Sequence, residues 1–77
     1  MQMQVLGTGC AKCKQLVANA EQAVRELGLA VTVEKVEDPR AIMHHHVMST
    51  PTLVVDGEVK VAGRVPSAAE IRILLAG

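Results

Sequence analysis

The chain has 77 residues and a mass of 8.2 kDa, with 49% hydrophobic and 21% charged residues: enough apolar content to fold one small core, and too little length for two. It contains no Phe, Tyr or Trp, which excludes recognition by ring stacking as in single-strand nucleic-acid binders, aromatic cages and RRM-type modules. Eight Lys and Arg balance eight Asp and Glu, and the isoelectric point is near 6.8, so no basic footprint for nucleic acid or an anionic membrane is present.

The first residues, Met1-Gln2-Met3-Gln4-Val5-Leu6, lack the basic and apolar regions of a secretory signal, and no apolar run reaches membrane-spanning length. The expectation is one cytoplasmic domain over residues 1–77. Gln2 to Leu6 reads as a strand with Met3 and Val5 on one face, ending at the turn Gly7-Thr8-Gly9. From Cys13 onward Leu16, Val17, Ala20, Ala23, Val24 and Leu27 recur at helical spacing, with polar residues opposite, and Gly28 closes the helix as a C′ glycine. The β-branched run Ala30-Val31-Thr32-Val33-Glu34-Lys35-Val36 predicts a second strand, parallel to the first because a helix joins them.

Asp38-Pro39 places a capping residue before a proline at the first helical position, predicting a short helix with Ile42, Met43 and Val47 as its apolar stripe. Thr52-Leu53-Val54-Val55 and Glu58-Val59-Lys60-Val61, joined by Asp56-Gly57, predict an antiparallel hairpin that Gly63 breaks. Ser67 with Glu70 forms a capping box ahead of a last helix whose stripe is Ile71, Leu74 and Leu75. His44-His45-His46 are consecutive, so on a helix they point about 100° apart and do not converge as metal ligands; they read as a solvated surface.

The chemistry-bearing feature is Cys10-Ala11-Lys12-Cys13 at the start of the first helix. Thiol–disulfide exchange needs an exposed, stabilised thiolate with a second sulfur near enough to resolve the mixed disulfide. At the N-cap, Cys10 meets unpaired backbone N–H groups and the positive end of the helix dipole, while Cys13 lies one turn inside. Lys12 and Lys14 add positive charge near the sulfur, or are simply solvated surface lysines. A structural zinc half-site or a pair of inert buried thiols is the alternative, but metal needs further ligands and no second Cys-x-x-Cys exists.

Gly7-Thr8-Gly9-Cys10-Ala11-Lys12-Cys13, followed by Ser49-Thr50-Pro51-Thr52-Leu53-Val54-Val55-Asp56-Gly57 in the order β-α-β-α-β-β-α, resembles the thioredoxin superfamily over essentially the whole chain. Within it, the chain is similar to the small glutaredoxin-sized, thioredoxin-like redox-active disulfide proteins. The resemblance implies an α/β, thioredoxin-like fold with a four-stranded mixed sheet flanked by three helices. It implies a monomeric thiol–disulfide oxidoreductase that uses the Cys10–Cys13 disulfide and no other cofactor. Its partners would be protein disulfide substrates and an electron donor of the thioredoxin-reductase type. Pro51 matches the family's cis-proline, with Thr50 offering its main chain to an extended substrate strand, although a plain trans proline before a strand would read alike. Gly63 matches a family glycine that lets backbone approach the substrate groove, and a plain strand-ending glycine would read alike.

The chain departs from thioredoxins proper in having Thr8-Gly9 before the first cysteine and Gln4 where a buried acidic residue stands. It departs from glutathione-using glutaredoxins in having Ala11-Lys12 between the cysteines and Gly63-Arg64 after the hairpin. Two other classes share the motif. A copper or zinc carrier of the heavy-metal-associated type would follow β-α-β-β-α-β and end on a strand. A redox-sensing module would use the same dithiol without turnover.

Overall fold

The computed structural model describes residues 2–7, 11–44 and 51–76. Strand β1 (Met3–Leu6) is followed by α1 (Ala11–Glu26), β2 (Val33–Val36), α2 (Pro39–His44), β3 (Thr52–Val55), β4 (Glu58–Ala62) and α3 (Ala68–Ala76). The four strands form one mixed sheet in the order β2-β1-β3-β4. β1 and β2 are parallel, with Met3 opposite Val33 and Leu6 opposite Val36, while β3 runs antiparallel to both β1 and β4. This is an α/β thioredoxin-like arrangement. Of the three expected helices, two are full ones, α1 and α3; α2 is a six-residue segment. No helix among the described residues is long and apolar enough to cross a membrane.

Side chains alternate across a strand, so each face of the sheet collects its own core. Met3 and Val5 of β1, Leu53 and Val55 of β3 and Val61 of β4 pack against Leu16, Val17, Ala20, Ala23 and Val24 of α1 and Ile71 of α3. Leu6, Val36 and Val54 point the other way and meet Ile42 of α2. With no ring available, tight packing comes from small residues: Ala20 and Ala23 are fully buried and let α1 sit close to its neighbours. Asn19 of α1 donates to the Pro66 carbonyl at 2.9 Å, and Arg72 pairs with Glu26 at 3.0 Å, tying α3 to α1.

Local signals act where the sequence places them. Gly28 has φ +68°, and the bonds Leu29 N–H to Val24 O and Gly28 N–H to Arg25 O, both 3.1 Å, complete a Schellman cap. Asp38 caps α2, its Oδ1 accepting from the Arg40 N–H at 2.9 Å. Asp56 (φ +51°) and Gly57 (φ +80°) form the hairpin turn with both central residues at positive φ.

Three expectations need correction. β2 begins at Val33, not Ala30, because β1 has only four residues and offers no partner earlier. Leu27 lies beyond the helix end and is 37% exposed. In α2 Ile42 is buried but Met43 is 73% exposed, because consecutive helical residues point about 100° apart and only Ile42 faces the sheet. Val47, the third residue of that stripe, lies outside the described residues, as do His45 and His46.

Candidate active site

Register brings the chemistry to one end of the sheet. Leu6 pairs with Thr52 and with Val36, so the chain leaving β1 at Gly7 lies between Pro51, entering β3, and Glu37, leaving β2. Gly7 N–H donates to the Val36 carbonyl at 3.0 Å, extending the parallel ladder by one bond. Across the sheet, Thr52 pairs with Ala62, and Gly63 N–H donates to the Pro51 carbonyl at 3.0 Å. The row is therefore Glu37, Gly7, Pro51, Gly63.

Cys13 stands in the first turn of α1, directly above this row, and is only 4% exposed. The fit to Gly7 is close: a Cβ at position 7 would lie 2.2 Å from the Cys13 Sγ and 3.1 Å from its Cβ. Only a residue without a side chain can sit there. Val5, Gly7, Lys35 and Glu37 project to the same face of the sheet by their alternation and register, and with Cys13, Lys14 and Val17 they line a cleft of about 50 Å³. That volume admits a few water molecules and no organic cofactor.

Charge around the sulfur is unusual for a helix start. Helices favour Asp or Glu in the first turn, yet α1 has no acidic residue there and carries Lys12 and Lys14. The helix start thus keeps its full positive character for an anion. On the far side of the row, Arg64 donates to both carboxylate oxygens of Glu70, one of them at 3.0 Å. Ser67 Oγ accepts from the Glu70 N–H at 3.1 Å, the expected half of the capping box, but the Glu70 carboxylate goes to Arg64. Glu70 in α3 thereby holds the corner that follows Gly63. The hydrogen bonds from Arg64 hold the Glu70 carboxyl below the ordinary carboxylate range; desolvation works against this and the charge of Arg64 adds to it.

Of the sequence-predicted site residues, Cys13, Pro51 and Gly63 are described, and Pro51 and Gly63 are joined by a backbone hydrogen bond. Pro51 is fully buried at the start of β3, and Gly63 has φ +80°, where a side chain would be strained. Cys10 and Thr50 lie outside the described residues. Sequence reasoning treated Gly7 only as a turn residue and passed over Lys35 and Glu37. The available signal was the two-residue spacing of Val5 with Gly7 and of Lys35 with Glu37, which becomes informative once the parallel register is known.

Comparison with known proteins agrees with this architecture. The sequence profile of a family described as a thioredoxin domain matches residues 1–76. A thioredoxin from Methanothermobacter thermautotrophicus is 44% identical over 75 residues, covering 97% of each chain. A thioredoxin from Methanocaldococcus jannaschii is 37% identical over 70 residues, covering 91% of this chain and 80% of that one. Since both relatives carry the name thioredoxin, the lack of aromatic residues does not place the chain outside that family.

Two outcomes are expected. Gly7→Ala forces the Cys13 sulfur to turn or the first turn of α1 to move, and should lower stability in urea denaturation by about 1–3 kcal/mol. For Glu70 the folded pKa lies below the unfolded one, so its pairing adds stability above the unfolded carboxylate value of about 4.3 and loses it as pH falls through the folded value. Glu70→Gln should therefore lower the melting temperature at neutral pH and low salt. Because Arg64 and Glu70 are solvent-accessible, the difference should shrink in high salt and vanish in acid.

Proposed function

The chain belongs to the thioredoxin family of thiol–disulfide oxidoreductases, and on that premise we propose that Cys10 and Cys13 are its working sulfurs. Cys10, immediately before Ala11, attacks a disulfide of a protein substrate as the thiolate. The electron pair of the broken S–S bond leaves on the substrate's other sulfur, and a mixed disulfide joins Cys10 to the client. Cys13 then attacks the Cys10 sulfur, releasing the reduced client and leaving a Cys10–Cys13 disulfide. A protein reductase of the thioredoxin-reductase type returns two electrons to that disulfide, so no cofactor beyond the sulfur pair enters the cycle.

The observation that carries this reading is the position of Cys13: buried in the first turn of α1 and pressed against a residue with no side chain. A sulfur so placed is shielded from outside disulfides yet only three positions along the chain from Cys10, which suits a resolving thiol. The lack of acid and the two lysines in the first turn favour an anion at the helix start. Pro51 and Gly63, joined through their backbones beside this turn, support a groove in which the main chain of Thr50 pairs with an extended client segment. The element order places α2 between β2 and β3, where the β-α-β-β-α-β order of a heavy-metal carrier has two strands in succession, which disfavours that carrier.

Iodoacetamide labelling against pH should show Cys10 reacting with a pKa well below the value of about 8.5 for an ordinary thiol. Cys13→Ser should trap clients on Cys10 as stable mixed disulfides identifiable by mass spectrometry. A Cys10 that titrates as an ordinary thiol, together with an empty trap, would remove the oxidoreductase role from this pair.

A further inference from the structure

The corner between β4 and α3 carries an ion pair that the stability of the helix does not by itself require. A glutamate three residues after a serine cap ordinarily turns back to the N–H of that cap. Glu70 keeps only the other half of the motif, its N–H donating to Ser67 Oγ at 3.1 Å, and gives its carboxylate to Arg64. Arg64 meets it as a fork, donating to both oxygens, one of them at 3.0 Å, and a fork fixes direction as well as distance. Arg64 directly follows Gly63, which has no side chain of its own to anchor it and whose N–H donates to the Pro51 carbonyl at 3.0 Å. At the other end of the corner Pro66 is fully buried and its carbonyl accepts from Asn19 of α1 at 2.9 Å. α3 itself is seated by the fully buried Ile71 and by the pairing of Arg72 with Glu26 at 3.0 Å. The fork therefore ties the Gly63 end of the corner, beside the dithiol, to a helix that is already fixed.

Resting on the dithiol reading above and its client groove, we propose that Glu70 is a positioning residue for protein clients: through the Arg64 fork it holds the Gly63–Pro51 backbone pair in place beside the groove. A client segment that pairs with the main chain of Thr50, the residue before Pro51, then meets backbone that is already ordered, and the cost of ordering it does not fall on binding. A small disulfide has no segment to lay along the groove and gains nothing from this. Arg64 and Glu70 are solvent-accessible, so the effect is a few-fold one.

The sign of the change at Glu70 separates this role from direct recognition by Arg64. If the guanidinium met client carboxylates itself, removing Glu70 would free it and speed the reaction with a protein; as a positioning residue, Glu70 slows that reaction when removed. In the test, the reduced full chain is mixed with insulin, a protein disulfide, or with bis(hydroxyethyl) disulfide, which is small and uncharged, and its oxidation is followed by alkylation and intact mass. Glu70→Gln should lower the rate constant for insulin about two- to fivefold and leave that for the small disulfide unchanged. Arg64→Gln and the double variant, which keeps the net charge, should each lose as much as Glu70→Gln and no more, since all three remove the same pair. Arg72→Gln, which breaks an ion pair of α3 at the far end of α1, should change neither rate. A raised or unchanged insulin rate in Glu70→Gln would overturn the proposal. So would equal losses with both disulfides in a folded variant, losses that add in the double variant, or a loss in Arg72→Gln as large as that in Glu70→Gln. Should Glu70→Gln lose its fold, Glu70→Asp decides, because it keeps the charge and withdraws the carboxylate by one methylene: a lowered insulin rate with the small-disulfide rate intact supports the proposal, and any other result overturns it. A wild-type chain that neither disulfide oxidises to an intramolecular bond would instead overturn the dithiol reading, and this proposal with it.

Discussion

The backbone of Gly7 lies so close to Cys13 that a methyl group at position 7 would stand 2.2 Å from the sulfur. That approach fixes how α1 sits on the sheet, because Gly7 is itself held to β2 by the bond from its N–H to the Val36 carbonyl. The first turn of the helix is therefore clamped over the ends of β1 and β2. Leu16, Val17 and Ala20 extend the same contact down the core, where the absence of ring side chains allows the helix to pack closely on small and branched residues. A side chain at position 7 would open a wedge at the top of that seam, which is also where Cys13 lies.

The same end of the molecule combines features that a sequence optimised for stability would avoid. Lys12 and Lys14 occupy a first turn where acids would stabilise the helix. A thiol is buried beside a cleft with charged walls, and a residue at φ +80° follows an edge strand. Such features concentrate where an anion must form and where backbone must stay open to a partner. Elsewhere the structure is conventional: a Schellman cap at Gly28, a tight hairpin at Asp56-Gly57 and a serine cap at Ser67.

These conventional features were legible in the sequence because each rests on local chemistry. A glycine after a helix, an Asp-Gly pair between β-branched runs and a serine three residues before a glutamate act through neighbours a few positions away. Register and packing are not local. The early part of the Ala30–Val36 run remains unpaired only because β1 is four residues long, and Met43 is exposed because, one residue on from Ile42, it points about 100° away from the face that Ile42 buries. Glu70 was expected to complete its own capping box, but Arg64, six residues earlier, captures its carboxylate. Likewise, Gly7 reads as an ordinary turn glycine until α1 is laid over it. Lys35 and Glu37 read as ordinary surface charges until the pairing of Val5 with Lys35 places them along the cleft that Cys13 also lines. Cys10 and Cys13 stood out from the start, whereas the residues lining the cleft beside Cys13 emerge only from the fold.

The proposed cycle requires Cys10 and Cys13 to interconvert between dithiol and disulfide within one chain. Intact mass under a graded thiol–disulfide redox buffer, quenched by alkylation, reads this directly. A reversible transition is expected between a doubly alkylated chain and one that carries no label and has lost both thiol hydrogens, with no such transition in Cys13→Ser. A chain that stays doubly alkylated across the whole range, or oxidises only into linked pairs of chains, would contradict it.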